Sequence, residues 1–264
     1  MSTPEERLQF LGQVHDQSLE LLRGVSFDKH PRRDGYLVCL YASMIELAGG
    51  IVLLVHNDRK TAMSPVFRTF VEAYVDLKNV AEDRIFVEHS FARHHKDWIK
   101  ILGANGESNR FLGEVNAHEK RQEALKRHER ELEKLRDRGV HPLKVAERFA
   151  RAGMSDEYFA LYHFESDAIH NSSQALLGRH VEETRGDDFG LTLFKQRSLE
   201  DYDSYMDAAA VLLLDATRIV HEQINSGKQD DIQRSSQKLD AIRPTAPSRR
   251  EPDAKHQDAD KDRE

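Results

Sequence analysis

The most constraining feature of the chain is the stretch Tyr36–Val55, about 20 residues long and almost wholly apolar. A run of that length fits either a helix that spans a membrane or a helix buried on all sides in a soluble bundle. Glu46 lies near its centre, beside the small residues Ala48, Gly49 and Gly50. We favour the buried helix over a single membrane span, and we expect no membrane association. Glu46 is then a buried carboxylate that needs a partner.

Most of the remaining chain repeats apolar residues at helical spacing, with Gly and Pro between the segments. The pattern predicts helices over residues 5–23, 36–57, 65–82, 84–102, 108–138, 143–152, 156–177 and 199–225. Ser64 and Pro65 are typical of an N-cap and a first helical residue, so they mark the start of the third helix. Residues 181–197 read as a loop that can include a short hairpin. The predicted fold class is all-α, a bundle of about eight helices.

Two segments depart from the pattern of the bundle. The long helix over residues 108–138 alternates acidic and basic residues, and Leu125, Leu132 and Leu135 form its thin apolar seam. We favour a solvent-exposed helix with ion pairs four residues apart over an arm that mediates dimerisation. From Gly227 onward the chain has no aromatic residue and few aliphatic ones. This composition predicts a single helical domain at 1–226 and a disordered tail at 227–264.

Composition and charge restrict the location and the partners of the protein. The chain has 39 Lys and Arg residues against 46 Asp and Glu residues, and its net charge is -7. This charge argues against a generic nucleic-acid or anionic-membrane surface, although a local basic patch remains compatible with it. The single cysteine, Cys39, excludes a disulfide framework, and the polar segment Met1–Gln13 does not resemble a signal peptide. We therefore predict a cytoplasmic location.

The third predicted helix carries Arg68 and Glu72, which lie four residues apart and so face the same side of a helix. The apolar residues Phe67 and Val71 are close by, and charged groups beside an apolar face are usually buried only when they are paired. We predict a shared buried site in which Glu46 pairs with Arg68, rather than a weak surface salt bridge between Arg68 and Glu72.

The seventh predicted helix carries Tyr162, Ser166 and His170, at steps of four residues along one stripe. The simpler interpretation is a helix edge with a hydrogen-bonded core histidine. The functional interpretation is that the three side chains line a pocket together with Glu46 and the Arg68–Glu72 pair. Arg suits phosphate or carboxylate groups, and His titrates near neutrality, so such a pocket is suited to a small anion or a nucleotide.

These two helical motifs resemble an uncharacterised all-helical bacterial family that is known only as a domain of unknown function. The resemblance covers about residues 35–180. The residues that carry it are Arg68 and Glu72, followed by Tyr74 and Leu77, and then, after a helical insert, Tyr162, Ser166 and His170.

The same family is distantly similar to HEPN domains, which include abortive-infection and toxin ribonucleases. In those domains an Arg and a His on one helix cut RNA without a metal, usually across a dimer. No Arg precedes His170 at the corresponding spacing, so the resemblance implies that Arg68 supplies the cation from another helix. His170 would activate the ribose 2′-hydroxyl, and Arg68 would stabilise charge that develops on the phosphate.

Two classes of function therefore stay open. The first is a HEPN-like protein of phage defence or stress that binds or cleaves RNA, acts as a homodimer and uses His170 and Arg68 as catalytic residues. The second is a non-catalytic helical module that binds a small anionic ligand or a partner protein through Glu46, Glu72, Tyr162 and Ser166.

The sequence predicts no metal ion and no cofactor. Asp167 and His170 have the three-residue spacing of carboxylate-bridged metal proteins, but a matching pair on a second helix is missing from the sequence. His94 and His95 are neighbours in sequence and do not share a helix face, so we expect both to be exposed to solvent.

Overall fold

The computed structural model describes residues 3–26, 32–104, 112, 119–163, 172–183 and 189–242. Its α-helices are α1 Pro4–Arg23, α2 Arg32–His56, α3 Lys60–Glu82, α4 Phe86–Gly103, α5 Arg121–Asp137, α6 Val145–Arg151, α7 Ser155–Glu157, α8 Ser173–His180, α9 Asp203–Gln223 and α10 Gln229–Ile242. A π-helical turn, Tyr158–His163, follows α7, and a 3₁₀ turn, Leu199–Tyr202, precedes α9. Two short strands, β1 Val181–Glu183 and β2 Phe189–Leu191, form an antiparallel hairpin. The all-α fold class is confirmed.

The apolar helix α2 packs against α1, α3 and α9. Tyr41, Met44 and Ile51 on α2 are fully buried. Gly49 permits a close approach to α1, since a Cβ atom there would lie 2.9 Å from the His15 Nε2 atom. Length and composition alone would let α2 cross a membrane. Its packing against three helices supports the alternative of a core helix.

The prediction that Glu46 is a buried partner of Arg68 is wrong. Glu46 is exposed, as are Cys39, Ser43 and Leu53 on α2. These positions repeat at helical spacing and therefore form one face of α2 that the three neighbouring helices leave open. A long apolar run predicted burial on all sides, but three helices cover only part of the circumference.

We expect Glu46→Leu to leave stability almost unchanged, within about 0.5 kcal/mol, because the carboxylate already contacts water. The free energy of unfolding, measured with urea, tests this expectation. Ile45→Ala is the matched comparison on the buried face of the same helix, and it should cost about 2–5 kcal/mol. A loss of similar size in Glu46→Leu would show that the carboxylate is engaged after all.

Two predicted helix boundaries are corrected by the structure. The third helix begins at Lys60 rather than Pro65, and Pro65 lies within it. The predicted continuous helix over residues 156–177 is also wrong. Its described part changes to a π-helical turn at Tyr158, and a new helix begins after Ser172, whose side chain caps the Ala175 N–H at 3.2 Å. Tyr162 lies in the π-helical turn, whereas Ser166 and His170 lie outside the described residues, so the predicted stripe stays a prediction.

The predicted disordered tail is wrong for residues 229–242, which form α10. Ile232 on α10 is only 4 % exposed, and the helix contacts α1 and α9. Gln17 on α1 donates from its side-chain amide to the Asp231 carbonyl at 3.2 Å and accepts a hydrogen bond from the Ser235 hydroxyl. Residues 243–264 of the predicted tail lie outside the described residues.

The charged helix α5 packs against α4. Its seam residues Leu132 and Leu135 are buried in a small second core with Ala92 and Val140. The predicted seam therefore has an intramolecular partner. The described helix begins at Arg121, and most of the predicted segment before it lies outside the described residues.

Candidate functional site

A row of polar residues at steps of four runs along α3: Lys60, Ser64, Arg68, Glu72 and Asp76. A step of four residues in an α-helix advances about 400°, so the row drifts slowly around the helix. The C-terminal half of the row contacts α6 and the π-helical turn. The N-terminal half reaches a cavity near the β-hairpin.

A buried arginine from α6 ties together the acidic residues of this row. The Arg148 side chain is 4 % exposed, and its Nη1 donates to both Asp76 carboxylate oxygens at 2.7 and 2.8 Å. Its Nη2 donates to the Glu72 Oε2 at 2.7 Å. Burial by itself lowers the pKa of Arg148, but Asp76 and Glu72 reverse the effect and leave this pKa raised. The guanidinium is therefore charged, and its two carboxylate partners compensate its burial.

Arg68 joins the same network from the solvent side. Its Nε lies 3.4 Å from the Glu72 Oε1, and its Nη2 donates to the Tyr162 hydroxyl. The Arg68 guanidinium carbon also lies 4.1 Å from the centre of the Tyr162 ring, within the range of a cation–π contact. Burial, and next the charge of Glu72, raise the pKa of the Tyr162 hydroxyl. The Tyr162 hydroxyl is thus neutral, and the Tyr162 ring lies against the Arg68 cation.

The structure brings together three of the predicted site residues and separates a fourth. Arg68, Glu72 and Tyr162 are in contact, and Glu46 is on the exposed face of α2. Ser166 and His170 lie outside the described residues, so their roles stay predictions.

Sequence reasoning missed three members of the network, namely Arg148, Asp76 and Arg93. The Arg93 Nη2 lies 3.3 Å from the Asp76 Oδ2. Asp76 continues the spacing of four that begins at Arg68, and that signal was available in the sequence. Arg148 gave no signal, because its short helix also contains other charged residues and only the tertiary contact selects it.

The N-terminal half of the α3 row opens into a cavity of about 580 Å³ between α3, α8 and the segment after β2. Its basic lining residues are Arg59, Lys60, Arg179, Lys195 and Arg197. Ser64 also lines the cavity, and Arg68 follows one turn later on α3. We call this cavity with its lining residues the basic pocket.

Aromatic rings and one carboxylate complete the basic pocket. Phe194 is 75 % exposed, and the Arg59 guanidinium lies 5.0 Å from its ring centre. The Lys60 ammonium lies 4.1 Å from the Tyr205 ring centre. Among the described lining residues, Asp58 is the one acid, and it accepts hydrogen bonds from the Tyr202 hydroxyl at 2.6 Å and the Arg197 backbone N–H at 3.1 Å. The lining residues therefore carry a net positive charge, although most of the exposed lining is apolar and Lys195 also lies 3.7 Å from the Glu182 carboxylate.

A comparison with protein families matches residues 34–188 to a family of unknown function, DUF5677. The chain belongs to this family. The match confirms the expected uncharacterised domain over about residues 35–180. No curated protein and no solved structure matches the chain. The DUF5677 region includes the whole charged network and the α3 and α8 sides of the basic pocket, whereas α1, α9 and α10 lie outside it.

Proposed function

We propose that this DUF5677 protein binds single-stranded RNA through the basic pocket. The observation that carries the proposal is the combination of five basic side chains with an exposed aromatic ring, Phe194, at one cavity. Proteins that bind single-stranded nucleic acid combine cationic grooves for the phosphates with aromatic rings on which bases stack. The rest of the chain must be acidic on balance, which would confine RNA to this surface.

The finer part of the proposal is HEPN-like cleavage without a metal. Arg68 lies one turn beyond the pocket residue Ser64, and its side chain is 22 % exposed. A phosphate in the pocket would thus lie near a guanidinium that Glu72 and Tyr162 hold in place. His170 is proposed as the base that takes the proton of the ribose 2′-hydroxyl, while Arg68 stabilises the charged phosphate. A homodimer and a cytoplasmic role in phage defence belong to this finer proposal.

We expect the double variant Arg59→Glu, Lys195→Glu to weaken RNA binding at least about tenfold, since two phosphate contacts become repulsive. Fluorescence anisotropy with a labelled single-stranded RNA of mixed sequence measures the change at two salt concentrations. The matched control is Arg23→Glu, Arg234→Glu, which makes the same change in net charge at exposed ion pairs elsewhere. Phe194→Ala should weaken binding by about 1–3 kcal/mol if a base stacks on the ring.

Equal losses in the pocket variant and its control would contradict binding at this pocket. Cleavage is tested separately, by incubation of the same RNA with wild type, His170→Ala and Arg68→Met in the presence and absence of EDTA. Cutting that persists with EDTA and disappears in both variants would support the HEPN-like role. RNA that stays intact although binding is normal would indicate that the protein binds RNA without cleaving it.

The second candidate function is binding of a small anionic ligand. The pocket volume of about 580 Å³ favours it, because ligand cavities commonly measure about 300–1,000 Å³. A mononucleotide that competes with RNA for the pocket at similar affinity, in the same anisotropy assay, would favour this candidate over RNA.

A further inference from the structure

Three histidines meet where α4 packs against α5. The ring nitrogens of His94, His95 and His128 that can bind a metal all lie within 4.8 Å of one another. The His95 Nδ1 and the His128 Nδ1 are 2.8 Å apart, within hydrogen-bond distance. His128 is 7 % exposed, whereas His94 is exposed. The expectation that both helix neighbours are exposed to solvent is confirmed for His94 and wrong for His95, which is half-buried where α5 places His128 against it.

The packing around the cluster holds these rings in place. Trp98, one turn after His94 and His95 on α4, stacks on the His128 ring with the ring centres 5.9 Å apart and the planes 13° apart. The edge of the His94 ring meets the same indole at 6.2 Å. The second core of Leu132 and Leu135 lies one to two turns further along α5. The cluster is thus anchored on two packed helices, which suits a metal site better than side chains on a loop.

We propose that His94, His95 and His128 bind one Zn²⁺ ion, which joins α4 to α5. Neutral imidazole is a preferred ligand of Zn²⁺, and three imidazoles with one open position are an established coordination set for this ion. His94 and His95 also line a groove that runs between α2, α4 and α5. The fourth position, open to this groove, would hold a water molecule.

The geometry requires only a small rearrangement. With Zn–N bonds of about 2.0–2.1 Å, tetrahedral ligand atoms are separated by about 3.3 Å. The His95 and His128 Nδ1 atoms would therefore move apart by about 0.5 Å, and His94 would move inward. The ion would replace the proton shared between the two Nδ1 atoms, and that proton would pass through solvent to the Nε2 of the same ring. No net proton release is needed when all three rings begin neutral.

The surroundings of His95 and His128 favour the neutral form of these two rings. Burial is the main reason that the pKa values of His95 and His128 are lowered, and the neighbouring His rings and Arg127 lower them further. Neutral imidazole is the form that binds a metal. Glu131, one turn beyond His128 on α5, acts on His95 in the opposite direction and supplies a nearby negative charge. This carboxylate would favour a bound cation from outside the coordination shell.

The test is a titration of the full chain with Zn²⁺, in competition with a chromogenic chelator. We expect one tight site per chain, and we expect His95→Ala and His94→Ala each to weaken it at least about tenfold. The control is His56→Ala, which removes an exposed histidine on α2 and should leave the site intact. Circular dichroism of each variant verifies that it is folded.

Trp98 gives an independent readout, because it is the single tryptophan of the chain and stacks on His128. Zn²⁺ should change its fluorescence with the same stoichiometry as the titration, and His94→Ala should shift the midpoint to higher Zn²⁺ concentration. Weak binding of several ions, or equal affinity in His56→Ala and both cluster variants, would overturn the proposal. A tight site that leaves Trp98 fluorescence unchanged would also overturn it, since that site would lie elsewhere.

Discussion

Asp76→Ala is expected to destabilise the protein by about 3–5 kcal/mol, because it leaves the buried Arg148 guanidinium with only one of its two carboxylate partners. The Asp76 and Arg148 side chains are only 6 % and 4 % exposed, and two hydrogen bonds join them. Glu72 would remain as a partner of Arg148, but it is shared with Arg68. Urea unfolding followed by far-UV circular dichroism measures the loss.

The matched control is Glu20→Ala on α1. Glu20 pairs with Arg23, and both side chains are more than 60 % exposed. Exposed pairs contribute at most about 1 kcal/mol. The double variant Asp76→Leu, Arg148→Met should recover much of the loss, because it removes both buried charges together. Losses in the double variant that equal the sum of the two single variants would show that the pair is not coupled.

Truncation after Gly227 is expected to lower stability by about 2–4 kcal/mol, because it removes α10, with its buried Ile232 and its contacts with α1 and α9. For a chain of this size, the loss corresponds to a decrease in Tm of about 5–15 °C. Differential scanning calorimetry measures it.

A second truncation, after Ile242, serves as the control, because it keeps all of α10. Ile232→Ala tests the same contact without removing chain, and Gln233→Ala is its exposed neighbour. If truncation after Gly227 leaves the Tm within about two degrees of the control, α10 does not contribute to folding. The tail would then be dispensable, as its composition first indicated.

The sequence predicted those elements whose signals are local. The first helix ends before Gly24 as predicted, and the last helix before the tail falls within the predicted residues 199–225. The spacing of four residues placed Arg68 and Glu72 on one side of α3, but the sequence analysis chose Glu46 as the partner of Arg68, whereas the structure pairs Arg68 with Glu72. The α10 helix was not predictable, because a single buried isoleucine gives no apolar periodicity. The contact of α10 with α1 is also largely polar, through Gln17 and Ser235.

The candidate site was predictable only in part, for the same physical reason. A helical spacing predicts which side chains share a face, but it does not predict what that face contacts. Glu46 shared a helix with a long apolar run and nevertheless lies on its open face. Arg148 lies in a helix with no distinctive pattern, and only the fold brings it to Asp76. The basic pocket gathers residues that are far apart in sequence, from Arg59 to Arg197.

The arrangement of α1 and α9 around α2 and α3 limits how this protein can be divided. The family match ends at residue 188 and begins at residue 34, so it contains α2 and α3 but neither of the helices that cover them. A fragment cut at those limits would expose Tyr41 and Phe67 to water, since Tyr41 contacts Ser18 on α1 and Thr217 on α9, and Phe67 packs against Tyr205 on α9. Such a fragment is expected to aggregate when it is produced alone. A fragment that keeps this core covered therefore has to include α1 and α9 as well as the family region.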